Sequence, residues 1–156
     1  MSFADVSGRV AYRVAALAST ALCIVWSSGS ASAADRQPLV TIKQVMEKTI
    51  TPVTNTLWGA PERPTDEEWA ALEEASVTLL VAADEIAKGG AGPRDGEWAS
   101  NPAWAAFNDV MTKAGLDALK AIQARDRDAL AAAGDVLYPP CEGCHLQFNP
   151  AVIEER

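Results

Sequence analysis

Four stretches of this chain carry apolar residues at the spacing of a helix face. Across residues 40–58, Ile42, Val45, Met46, Thr49, Ile50, Val53 and Leu57 recur three and four apart. Pro52 falls inside that run, and its missing backbone donor predicts a kink or break near Thr51. The second stretch opens at Thr65 with Glu68 three residues on, a capping box. Trp69, Leu72, Ser76, Leu79, Ala83 and Ile86 carry it to a stop at Gly89-Gly90, after which residues 89–99 read as a Gly-rich loop. Asn101 and Pro102 form a helix entry, followed by a seam of Trp104, Phe107, Met111, Ala114, Ala118 and Ile122. Asp126 is placed to cap a fourth helix bearing Leu130, Val136 and Leu137. No strand-period alternation interrupts these runs. The pattern predicts an all-α chain, an antiparallel four-helix bundle with mostly short connections.

The first 33 residues follow another logic. Arg9 and Arg13 precede an uncharged apolar run, residues 14–26, and Ala31-Ser32-Ala33 has the form of a cleavage site. That is the layout of a secretory signal peptide, and the run is short for a membrane span. The expectation is therefore signal peptide over residues 1–33, cleavage before Ala34, export to the periplasm, and no stable membrane insertion afterwards. Cleavage removes Cys23 and leaves two cysteines in a single domain, residues 34–156.

Composition narrows the partners. The chain of 156 residues has a formal charge of −8. Setting aside the two arginines and one aspartate before Ala34 leaves 11 basic and 20 acidic residues, a formal −9. Such a balance argues against nucleic acid and anionic membranes, and suits a partner with a basic docking patch.

The chemistry is concentrated in Cys141-Glu142-Gly143-Cys144-His145. This is the C-x-x-C-H spacing of a site for one covalently bound haem c. Each thiol adds across one vinyl group, its sulfur to one carbon and its hydrogen to the other, so both sulfurs must lie on one side of the backbone. On a helix, Cys141 and Cys144 are neighbours at i and i+3, and His145 shares their face as proximal ligand to the iron. His145 is the only histidine. A zinc site calls for about four ligands, and no second Cys/His cluster exists. A thioredoxin-type pair would open a helix after a strand, whereas this motif closes a helical chain. A plain Cys141–Cys144 disulfide is the remaining competitor.

The position of the motif, after four helical stretches, resembles the cytochrome c′ superfamily of exported four-helix-bundle cytochromes. The resemblance covers nearly all of residues 38–148, including TIKQVMEKTITPVTNTLW and TDEEWAALEEASVTLL. One departure is Tyr138-Pro139-Pro140 just before Cys141, which predicts a kink or break around Leu137. In that family the first helix covers the distal face of the haem. Members with a methionine there hold a six-coordinate, low-spin iron suited to electron transfer; members with an apolar residue bind gases at a five-coordinate iron. Met46 matches the methionine-bearing type, with Met111 as its rival. The resemblance thus implies a periplasmic electron carrier, not an enzyme, with His145 and Met46 as axial ligands; the alternative is a gas-binding protein. Lys43 is a candidate partner for a haem propionate, and Trp58, Trp98, Trp104 and Tyr138 are candidates to line the cofactor. A homodimer is left open. No nucleophile–base constellation or distal His/Arg pair suggests catalysis.

Overall fold

The four long helical stretches start where short polar side chains satisfy exposed backbone donors. In the computed structural model, which describes residues 37–149 and Ala151, every regular element is helical. The predicted signal segment lies outside the described residues. No described helix is long and apolar enough to cross a membrane.

The first helical stretch has three parts in unbroken succession: α1 (Ile42–Val45), a π-helical turn (Met46–Ile50) and α2 (Thr51–Trp58). Thr41 caps it: its hydroxyl accepts from the Gln44 N–H at 3.1 Å, and Gln44 Oε1 accepts from the Thr41 N–H at 2.9 Å. The break expected near Thr51 does not occur. Instead the Thr51 N–H bonds to the Met46 carbonyl, five residues back. The ladder has widened by one residue before the Pro52 ring arrives, in the first turn of α2 but inside the continuous helical run.

The Thr65–Glu68 capping box forms as the sequence suggests, with bonds of 3.2 and 2.7 Å, and opens α3 (Asp66–Ala87). Gly89 ends that stretch with φ at +101°, a conformation that suits a residue without Cβ. The segment read as a loop holds a short helix, α4 (Asp95–Ala99), too brief to leave a period in the sequence. Asp95 is buried, and its Oδ2 accepts from the N–H groups of Ile42 at 2.8 Å and Gly92 at 2.9 Å. Gly90 must be glycine beside it, because a Cβ there would come within 2.7 Å of the Ile42 nitrogen.

Asn101 caps α5 (Pro102–Gln123) through the Ala103 N–H, and Asp126 caps α6 (Arg127–Phe148) through the Ala129 N–H, each at 2.9 Å. α6 runs without interruption through Pro139 and Pro140, so of the kink or break expected around Leu137 the break does not occur. The carbonyls that lose helical donors belong to Asp135 and Val136. Both residues are exposed, so water can replace the missing bonds. Of the three apolar residues expected along this helix, Leu130 and Leu137 are buried and Val136 is exposed.

α5 packs against α6 and α3, and α3 against α2. Leu79, Ala83, Leu130 and Leu137 lie at the centre, essentially without solvent contact. The α3 seam is buried at all six expected positions, including Ser76, whose hydroxyl donates to the Gly115 carbonyl at 3.0 Å. The fold is all-helical, with the packing of a helical bundle.

Candidate cofactor site

α6 sets the geometry of the motif. Cys141, Cys144 and His145 all fall within it, at spacings that put them along one stripe. The helix stays close to its neighbour here: a Cβ on Gly143 would sit 2.7 Å from Cε1 of Phe107 on α5. The second variable position of the motif therefore fits against an aromatic ring only because it is small.

All three motif side chains line one cleft of about 840 Å³ with Met46 and Met111. A second cleft of about 1140 Å³ adjoins it, and Met46, Thr51, Trp104, Cys144 and His145 belong to both walls. The π-turn thus delivers Met46 to the cleft that the thiols and the imidazole line, across nearly the whole chain length. Met111, on α5, is more deeply buried than Met46.

Both cysteines are half-buried free thiols. The Cys141 sulfur donates to the Leu137 carbonyl at 3.2 Å. Burial pushes the Cys141 thiol up from its ordinary range. Burial, reinforced by the nearby Cys141, pushes Cys144 up to about 11. Reactive C-x-x-C redox pairs have the opposite setting, with thiolates favoured by positive surroundings. These thiols remain neutral S–H groups at neutral pH.

Aromatic rings frame both clefts. Trp104 is buried, its indole donates to the Ile86 carbonyl at 3.0 Å, and it stacks on Trp98 with centroids 6.0 Å apart. Phe148 meets Trp104 edge-on at 5.2 Å. Trp58, partly exposed, donates to the Gly134 carbonyl at 3.1 Å and meets Tyr138 edge-on at 6.2 Å, so α2 and α6 are joined beside the first cleft. Lys43 lines the second cleft, is exposed, and pairs with Glu47 at 3.6 Å.

Two buried polar atoms have no hydrogen-bond partner among the described residues: Asn108 Oδ1 and Trp98 Nε1. Asn108 is pinned by its other amide atom, Nδ2 donating to the Ala83 carbonyl at 3.1 Å, and it lines the first cleft. Trp98 lines the second. Buried polar atoms are rarely orphaned, so an acceptor and a donor left over on cleft-lining residues are what a site for a bound group with polar substituents would present. With two thiols, a thioether and an imidazole in the same place, the residues fit a covalently held haem.

Sequence reading did not single out Asn108 or Asp95. A signal existed for Asn108, which lies four residues after Trp104 and three before Met111, a polar residue within an apolar seam. Asp95 had none: its role depends on a contact with Ile42 far away in the chain. No protein family, curated protein or solved structure matches this chain.

Proposed function

We propose that this protein is an exported mono-haem c-type cytochrome, built as an antiparallel four-helix bundle like the cytochrome c′ superfamily, that carries single electrons between partner proteins. The observation that carries the reading is the meeting of Cys141, Cys144 and His145, on one stripe of α6, with Met46 at a single cleft. Bound there, haem would supply a one-electron iron couple. Cys141 and Cys144 would hold it by thioether bonds, and His145 would bind the iron from the α6 side. Met46 would donate its thioether from the first helix, a ligand that favours ferrous iron. Trp104 and Phe107 would exclude water. The acidic surface suits partners with basic patches, and residues 1–33 suit export to the periplasm.

Attachment is tested by Cys141→Ser combined with Cys144→Ser. Pigment from the parent protein should resist acid–acetone extraction, while the double variant should lose all covalently held pigment. Pigment that survives extraction in the double variant would contradict the assignment.

A further inference from the structure

Away from the clefts, some of the large apolar side chains left on the surface lie together. Val77 and Val81 on α3 are 46% and 59% exposed, and Leu116 on α5 is 44% exposed. Contacts between the two helices set their register. Gln123 donates to Glu73 at 3.2 Å, Ser76 to the Gly115 carbonyl at 3.0 Å, and Asn108 to the Ala83 carbonyl at 3.1 Å. Leu80 lies over Gly115, where a Cβ would come within 3.1 Å of it. Leu116 follows Gly115 directly and Leu119 follows one turn later, so both fall beside Val77 and Leu80. Leu80 and Leu119 are half-buried. Among the described residues the result is an apolar strip, open to solvent, along the outer face of α3 and α5. Single exposed apolar residues are ordinary, whereas a contiguous strip with polar edges marks an interaction site.

The two edges of the strip carry opposite charge. On α3, Glu74 shares a stripe with Val77 and Val81, is exposed, and enters no ion pair among the described residues. On α5, Lys113 and Lys120 flank Leu116 one turn away on either side, both side chains 75% exposed. They hold Asp117 between them at 2.7 and 3.2 Å, which leaves one positive charge over. The register puts Glu74 level with Asp117, midway between the two lysines. We propose that this face pairs two copies of the chain about a two-fold axis running along the helices. Such an axis lays α3 of one copy over α5 of the other. Each Glu74 then meets the other copy's Lys113 and Lys120, while Val77 and Val81 of each cover Leu116 of the other. The same patch serves both sides, as a two-fold contact requires. It lies apart from the motif residues, so the pairing does not depend on the cofactor.

The test is sedimentation equilibrium of the purified protein over a concentration series. The parent should reach twice the monomer mass. Leu116→Lys should weaken the dimer at least about thirtyfold, because the two-fold buries the added charge in the apolar strip twice. Glu74→Lys should weaken it by about three- to tenfold, the scale of exposed ion pairs lost in duplicate. Adding Lys120→Glu to Glu74→Lys should restore most of that loss, since the swap rebuilds the pair only across the interface. Val136→Lys, at an equally exposed position on α6, should leave the dimer unchanged. If Leu116→Lys loses helical content by circular dichroism, Val81→Lys serves in its place. A parent that stays monomeric up to millimolar concentration would overturn the proposal and assign the strip to a different protein. A dimer untouched by Leu116→Lys and Val81→Lys, or one broken equally by Val136→Lys, would overturn it by placing the contact on another face.

Discussion

On the wall of the cleft that carries Met46, a proline lies inside the helix just after the candidate ligand. On the wall that carries the thiols, two prolines lie just before Cys141. Both helices continue, but differently. The first widens into a π-turn over Met46–Ile50, whereas α6 keeps one helical run from Arg127 to Phe148. Exposure does not separate the cases, because Lys48, four residues before Pro52, is exposed just as Asp135 and Val136 are. The apolar period does. Across the widened stretch of the first helix Ile42, Met46, Ile50 and Thr54 step by four, which would drift by about 40° per step on a regular helix, before Leu57 returns to a step of three. A turn widened by one residue brings Met46 and Ile50 back towards the same face. On α6, Leu130, Ala133, Leu137, Pro140 and Cys144 alternate three and four, close to the natural helical period, and no widening is called for. A proline marks where a ladder can be altered; the period of the buried face decides whether it is.

Removing the candidate distal ligand should have the largest effect on this contrast. Met46→Ala should convert a low-spin spectrum to high-spin and open the iron to carbon monoxide. An unchanged spectrum would exclude Met46 and turn attention to Met111. A parent protein that already binds carbon monoxide at once would favour the gas-binding alternative. Next in size is Pro139→Ala, which restores a backbone donor on α6 and should stabilise the protein by about 1–2 kcal/mol in urea unfolding, since an interior proline costs about 3 kcal/mol before its unfolded-state benefit. Destabilisation would mean that the ring itself shapes the thiol wall. Smaller still, Pro52→Ala should keep the methionine-ligated spectrum and change stability by less than about 1 kcal/mol, because the period rather than the ring sets the π-turn. Loss of that spectrum would reverse the assignment of cause.

The smallest effect is a matter of pH on the thiol wall alone. In the haem-free chain, Cys144 should react slowly with iodoacetamide at neutral pH and speed up until about pH 11, where an unfolded thiol would level off near 9.0. Because the folded value is the higher one, any stability linked to this thiol is complete below about 9 and lost as pH rises towards 11. Alkylation that already reaches its plateau near pH 9 would contradict the buried setting of Cys144.

Much of this could be read from the chain before any coordinates. The caps at Thr65, Asn101 and Asp126 are local devices, with donor and acceptor within three residues of each other, and the structure forms all of them. The motif residues were legible for the same reason, since their spacing is their chemistry. What escaped was the response to proline, which depends on the face a helix must bury, and α4, whose five residues are tied down by a long-range contact. Trp98 could be suspected as a lining residue, but its unpaired N–H emerges only once Trp104 and Phe148 hold the ring in place.

Asp95 has one more consequence, for how the molecule breathes. A single carboxylate oxygen receives both the first amide of the Met46 helix and the Gly92 amide that leads into α4. Neither bond can open freely while the other holds the carboxylate in place, so the two amides belong to one cooperative opening and should exchange their hydrogens with solvent as a pair. When that opening occurs, the start of the methionine-bearing helix and the approach to Trp98 loosen together. The looseness of both is then tied to one buried oxygen atom.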